Sequence, residues 1–459
     1  MSVNQQKFIK KAELISFDLE HRKKIKFNIS KYDKAVEAGF MRYKDIELAK
    51  DRASYIKSIA IDNLSSLLID FDKNCINNGI EVLWAQTDAE VLAYLKSIIK
   101  SNNIRSIVKS KSMTTEEIEF NEFAEHLHLD NLETDLGEFI VQVAGEKPYH
   151  IVTPAMHKSK EDIDELFHTK FNTPTGSTPE ELTAFVRELL REKFVSADLG
   201  ITGANFLIAD TGAIALTENE GNGLLTASYP KVHVVIAGIE KILPKMADLG
   251  LFWPLLSSHG TGQQVTVYNS ILSGSKKTNE VDGPEKMYVI LLDNGRSQLY
   301  SEPILYKGLA CIRCGACLNG CPIYKNIGGY TYNSTYSGPI GSIITPHFKG
   351  FEQFKHLSFA SSLCGKCGEV CPVRIPLPEL LLHNRNISVE KGYNGIAEKV
   401  AFNFMSRALL SRILMNLGGG RVKSFFASLA QHSIIGKKRK LPLFSKKTFS
   451  QQWKQLKRY

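Results

Sequence analysis

The chain has 459 residues, 43% apolar and 23% charged, the make-up of an ordinary folded protein with length for two to three domains and a large core. Its formal net charge of +9 sits at one end, because residues 437–459 hold nine Lys or Arg and no acid; without a basic fold or motif, nucleic-acid binding is not expected. Seven of the eight cysteines fall in two short runs, which excludes a disulfide framework, and no signal-like segment or run of ~18 apolar residues is present, so the expected location is the cytoplasm.

Residues 1–54 read as an N-terminal helical segment, and apolar spacing predicts helices over Ile46–Phe71 and Asp88–Ile99. Cys75, which follows an apolar helical stretch, reads as a buried, inert thiol. From about residue 104, short apolar runs alternate with helical patterns. Ile104–Val108, Phe139–Val143, His150–Thr153, Val232–Ala237 and Met287–Leu292 are predicted strands, the last ending in the turn Asp293-Asn294-Gly295. Pro179–Phe194 is a predicted helix, capped at Ser177-Thr178 with Glu180 and Glu181 in its first turn. Phe206–Asp210 and Ala213–Thr217 flank Thr211-Gly212 as a hairpin. Strands alternating with helices predict an α/β domain over 55–300.

Three polar stretches in this domain follow strand ends, where open α/β sheets bind ligands: Lys109–Ser112, Glu218–Gly223 and Thr261–Gln263. They are pocket candidates, against the alternative of plain Gly/Asn turns. Three tempting motifs fail. Asp210-Thr211-Gly212 occurs once and suits the hairpin better than an aspartic protease. Gly221-x-Gly223 lacks the third glycine of a dinucleotide fingerprint, since position 226 is Thr, and Gly418–Gly420 follows a helix rather than a strand. No flavin or nicotinamide site follows.

A cluster domain is expected over 301–390. Cys311–Pro322 reads CIRCGACLNGCP, with the C-x2-C-x2-C-x3-C-P spacing of a bacterial ferredoxin. Such a run aims three thiolates at one 4Fe–4S cluster and the fourth at another. A second run, Cys364–Pro372, reads CGKCGEVCP and has Ser361 where a first cysteine would stand. The spacing therefore assigns Cys311, Cys314, Cys317 and Cys371 to one cluster, and Cys321, Cys364 and Cys367 to a second. The second lacks one cysteine; Ser361, water or a partner's side chain are candidates for its fourth ligand, or the site is 3Fe–4S. Zinc is the rival metal, but it needs neither a three-thiol run nor a swapped fourth ligand. In the intervening insert, Gly328-Gly329-Tyr330 and Tyr336–Gly341 allow close backbone approach, and His347 and His356 read as surface or core histidines before ligands. Residues 391–436 are expected as C-terminal helices, with an apolar stripe through Ile396, Val400, Phe404 and Leu409. Two readings stand for the basic tail, 437–459: a disordered solvated end, and a segment that docks on a partner or peripherally on a membrane surface.

These stretches, CIRCGACLNGCPIY, YSGPIGSIITP, SSLCGKCGEVCPVRIP and LGITGANFLIADTGAIALTENEGNG, resemble the lactate utilisation protein B family over nearly the whole chain. The cysteine runs alone are shared with cluster subunits of glycolate oxidase and heterodisulfide reductase; the upstream stretch makes the match specific. The resemblance implies an α/β lactate-utilisation (LUD) domain, related in fold to sugar-phosphate isomerases and CoA transferases, followed by a mainly α-helical, ferredoxin-like two-cluster domain. It implies two 4Fe–4S clusters ligated as above, and a family that also lacks the cysteine at Ser361. It implies partners, lactate utilisation proteins A and C, in a complex oxidising L-lactate to pyruvate, with this chain as an electron-transfer subunit. The alternatives are a relay for another 2-hydroxy acid such as glycolate, and a redox-sensing iron–sulfur binding module.

Overall fold

The apolar runs of the first 300 residues become two sheets in a computed structural model that describes residues 2–430 and 444–456. Ten strands follow in chain order: β1 (Ile80–Ala85), β2 (Ser106–Lys109), β3 (Asp130–Glu133), β4 (Leu199–Thr202), β5 (Phe206–Ile208), β6 (Ala213–Glu218), β7 (Val232–Gly238), β8 (Ile242–Leu243), β9 (Tyr268–Leu272) and β10 (Lys286–Leu292). The larger sheet is parallel throughout, in the order β1-β10-β7-β4-β2-β3. Its central strand β7, VHVVIAG, is buried at all seven positions, as a strand covered on both faces must be. Val234 and Ile236 pack with Val91 and Leu95 of the helix Asp88–Ser101, while Val235 and Ala237 pack with Leu68 and Phe71 of the helix Leu64–Asn77. The period of two along the strand thus feeds two separate cores. The smaller sheet runs β8-β5-β6-β9.

The β5–β6 hairpin turns at Gly212, whose φ of +67° and absent side chain are both needed: a Cβ there would stand 2.5 Å from the Asn74 backbone. The helix Pro179–Ser196 starts with a reciprocal Thr178–Glu181 capping box. The helix expected over Ile46–Phe71 is instead two, Ile46–Asp62 and Leu64–Asn77, broken at Asn63. Cys75 is fully buried and its thiol donates to Gly212 O.

Two predicted strands are corrected. Phe139–Val143 lies in the helix Leu136–Val143, where the Asp135 side chain accepts from the Glu138 N–H; a short apolar run does not by itself distinguish buried helix from strand. His150–Thr153 is irregular because the chain folds around the imidazole. Nδ1 of His150 accepts from the N–H groups of Val152 (3.1 Å) and Thr153 (3.2 Å), leaving Nε2 to donate to Asn319 Oδ1 (3.1 Å).

Met1–Ser388 form one compact unit and Val389–Tyr459 a second. In the second, helices cover Ile396–Leu410, Arg412–Asn416, Gly419–Ala430 and Phe449–Leu456. Gly418 and Gly419 have positive φ, so the glycine triplet stops one helical stretch and opens the next. Ile396, Val400, Phe404 and Leu409 of the expected stripe are exposed, as are Phe449 and Trp453, whose rings stack 5.9 Å apart. Of the C-terminal expectations, residues 431–443 and 457–459 lie outside the described residues. Among the described residues, no helix is long and apolar enough to cross a membrane.

Candidate metal centre

The first run leaves the turn Leu305–Ala310, passes Arg313 (φ +61°) and Gly315 (φ +81°), and enters the short helix Ala316–Gly320. Gly315 is required twice over, by its φ and because a Cβ would stand 2.9 Å from Val152. Pro322 then opens the helix Pro322–Ile327, with Cys321 as its cap. These bends set Cys321 apart from the three thiols that precede it in the run. Cys311, Cys314 and Cys317 line one small cavity together with Cys371 of the second run, walled by Ile340, Val373, Ile375 and Leu377.

The electrostatics divide the seven thiols in the same way. Burial, then Cys311, Cys314 and Cys371, push Cys317 well above the ordinary thiol range. Burial, then Cys321, push Cys367 up to about 11, with Cys364 adding to the shift. Buried thiolates of like charge oppose one another unless a cation lies between them. Backbone amides already point at the sulfurs: N–H groups of Arg313, Tyr324 and Ile375 donate to Cys311 (3.4 Å), Cys321 (3.5 Å) and Cys371 (3.4 Å). Such donors suit ligated thiolate sulfur.

Among the described residues, Glu116, Glu133 and Glu138 bring three ligand atoms within 4.8 Å of one another. His347 and His356 sit away from the thiols: His347 Nε2 meets Asn384 Oδ1 at 3.0 Å, and the buried His356 ring packs on Phe8 and Phe354.

Beside the thiols lies a cavity of about 370 Å³. Its walls include Ser110 and Lys111, Glu218–Glu220 with Asn222 and Gly223, and Thr261, so all three polar stretches contribute, and the far wall is Arg313 and Cys314. Lys111 Nζ donates to Asp135 Oδ2 at 3.0 Å. Glu218 accepts from the N–H groups of Gly223 (2.6 Å) and Leu224 (2.8 Å). Lys109 turns inward instead, fully buried beside Glu133 (2.8 Å), Glu138 (3.5 Å) and Glu116 (3.6 Å).

A second polar group went unread in the sequence. Arg296, fully buried, meets Glu117 in a two-pronged contact (3.0 and 2.8 Å) and Glu240 through Nε (2.5 Å). Glu240 also accepts from Arg313 (3.1 Å), whose guanidinium lies 4.5 Å over the Tyr336 ring. Arg296 in turn lies 4.7 Å over Phe348. Burial alone would raise the Glu240 carboxyl, but Arg296, Arg313 and Lys241 hold it down to about 2. The clamp thereby ties the α/β sheet to the thiol loop. Lys57, also buried, donates to Glu240 O at 2.8 Å, and burial lowers its ammonium to about 7.

Residues 68–292 match the LUD domain family and residues 307–375 the 4Fe–4S dicluster domain family. Lactate utilization protein B of Bacillus velezensis is 42% identical over 371 residues, covering 80% of this chain and 78% of its own. The proteins of that name from Bacillus thuringiensis (42% over 364 residues; 79% and 76%) and Bacillus cereus (41% over 370; 80% and 78%) match alike. The chain belongs to the lactate utilization protein B family.

It is therefore an iron–sulfur protein of lactate utilisation, a LUD domain followed by a 4Fe–4S dicluster domain, as the sequence resemblance implied. A crystal structure of a duf162 family protein from Deinococcus radiodurans matches 50% of this chain and 98% of its own, at 16% identity and a TM-score of 0.28. Neither the Arg296 clamp nor the glutamates that surround Lys109 are revealed by spacing or motif. Only the burial of these charges would have flagged them, and burial is not visible in one sequence.

Proposed function

We propose that this chain is the iron–sulfur electron-transfer subunit of a multi-component L-lactate dehydrogenase complex in the cytoplasm, working with lactate utilisation proteins A and C to turn L-lactate into pyruvate. The observation that carries the reading is the partition of the thiols. Cys311, Cys314, Cys317 and Cys371 would hold one 4Fe–4S cluster, and Cys321, Cys364 and Cys367 three corners of a second, so each set draws on both runs. Bound clusters supply one-electron steps, which suits dividing the two electrons of lactate oxidation. The residues of the chain hold and tune: amides of Arg313, Tyr324 and Ile375 steady the sulfurs, and Arg313 brings a buried positive charge to the first set. Cys364, the exposed thiol of the second set, puts that set nearest to solvent and to an exchange partner.

A second reading is a redox-sensing binding module, favoured by the polar cavity that ends on Arg313 and Cys314. Iron and sulfide analysis with EPR on anaerobically purified protein tests both readings. About eight irons per chain and interacting signals on reduction are expected. Zinc in place of iron would end the electron-transfer reading. Oxidation of L-lactate with a dye by this chain alone would contradict a pure relay, and a deletion strain that grows normally on L-lactate but not on glycolate would move the substrate to the latter.

A further inference from the structure

The two cysteine runs align at an offset of 50 residues. Cys314, Cys317 and Cys321 then correspond to Cys364, Cys367 and Cys371, and Cys311 corresponds to Ser361. The backbone repeats at the same offset. Arg313 and Leu363 have φ of +61° and +53°, and Gly315 and Gly365 have +81° and +86°. A short helix follows each glycine, Ala316–Gly320 and Lys366–Glu369. Positive φ is uncommon for arginine and rarer still for a branched apolar residue, so its recurrence at matched positions marks the same loop built twice.

The loop also repeats its hydrogen bond. The Arg313 N–H donates to Cys311 Sγ at 3.4 Å, and the Leu363 N–H donates to Ser361 Oγ at 3.1 Å. Relative to its own loop, the Ser361 hydroxyl therefore stands where the Cys311 thiol stands. Its backbone is held in place as well: Arg385 donates to Ser361 O and to Ser358 O, both at 2.9 Å. Ser361 is half-buried, so it is neither sealed in the core nor displayed on the surface.

We propose that Ser361 Oγ is the fourth ligand of the second cluster, completing the set Cys321, Cys364 and Cys367. The inference rests on the reading that these three thiols hold a cluster. Ligation is a substitution without electron transfer: an iron–oxygen bond forms, the hydroxyl proton leaves to solvent, and any water on that iron departs. The Leu363 amide then stabilises an alkoxide as the Arg313 amide stabilises a thiolate. An oxygen is a harder donor than sulfur, so one iron of this cluster differs from the other three.

The test uses anaerobically purified full-length chain with Ser361→Ala and Ser361→Cys, followed by iron content and by EPR of the reduced clusters in ordinary and ¹⁷O-enriched water. The signal of the first cluster serves in every sample as the check that the variant is folded. Expected results are no ¹⁷O broadening of the second signal in the native chain, and broadening in Ser361→Ala, where water takes the vacated iron. Mild ferricyanide oxidation should release an iron from Ser361→Ala at least tenfold faster than from the native chain. Ser361→Cys should keep its iron and shift only the second signal. Broadening in the native chain would give the position to water and overturn the proposal. So would a Ser361→Ala protein with native signals and native iron retention. About four irons and a single cluster signal in the native chain would instead sink the underlying thiol assignment.

Discussion

Replacing Arg296 with methionine should cost this protein several kcal/mol, because the side chain neutralises two buried carboxylates at once. Glu117 and Glu240 are each 1% exposed at the side chain, and Arg296 meets both. Breaking such a group by removing one partner costs about 3–5 kcal/mol, since the charge left behind is neither solvated nor paired. Titration gives a similar size: holding Glu240 at about 2 rather than the usual 4.5 is worth on the order of 3 kcal/mol at neutral pH, with Arg296 the largest charge opposing burial. At roughly 2 °C per kcal/mol for a unit this large, thermal unfolding of the iron-loaded variant should come about 5–10 °C early at pH 7. The sign with pH is fixed. Glu240 is depressed in the fold, so its stabilisation is complete above about 4.5 and is lost as pH falls toward about 2. The variant has less of it to lose, so the gap between native and variant should narrow from pH 7 to pH 4. Paired melts at the two pH values decide. A loss under about 1 kcal/mol, or a gap that does not narrow, would refute the clamp as the source of stability.

Arg313→Gln removes a buried positive charge that lines the same small cavity as the first thiol set; in general a unit charge at about 6 Å is worth about 2–3 kcal/mol at an effective dielectric near 20. The oxidised-to-reduced ratio of that cluster should therefore shift at least tenfold, about 59 mV downward for a one-electron couple, in an EPR-monitored redox titration; an unmoved midpoint would remove Arg313 as a tuning residue. Cys317→Ser should abolish or convert the first cluster, read as lost or altered iron and EPR signal, while the LUD domain keeps its circular-dichroism spectrum; normal iron content would contradict the ligand set. Cys75, buried and with its thiol pushed up to about 12 by burial and then Asp72, should resist iodoacetamide at pH 8 in the native chain. Rapid labelling by mass spectrometry would show the site to open readily.

The metal-binding candidates were legible because thiol chemistry demands fixed local spacing, and Cys-Pro ends made the two runs alignable. The Lys109–Ser112 and Glu218–Gly223 loops were found by a rule about strand ends, which works without knowing the strand order. Thr261–Gln263 instead follows the helix Leu249–Gly260 rather than a strand, and Thr261 lines the cavity from there. Phe139–Val143 was misread because four apolar residues around Gln142 fit either buried period, and the decisive cue was Asp135 acting as a helix cap. His150–Thr153 was misread because an imidazole organises that loop from its own side chain, a contact with no sequence pattern. Strand β1 was missed because its burial is mixed, as expected at the edge of the sheet. The clamp was out of reach for another reason: Glu117 and Arg296 are 179 residues apart, and each taken singly is an unremarkable surface-type residue.

The crossing of the two runs has a consequence for how the chain comes together. With the proposed ligand sets, the two clusters close nested loops: the first spans the 53 residues between Cys317 and Cys371, the second the 39 residues between Cys321 and Ser361. Closing a loop of either length removes about 4 kcal/mol of freedom from the unfolded chain. Once one is closed, the other removes far less. The two centres are thus redundant as cross-links while distinct as redox sites. A chain that loses one to oxidation would stay tied shut by the other, in register to receive its iron again.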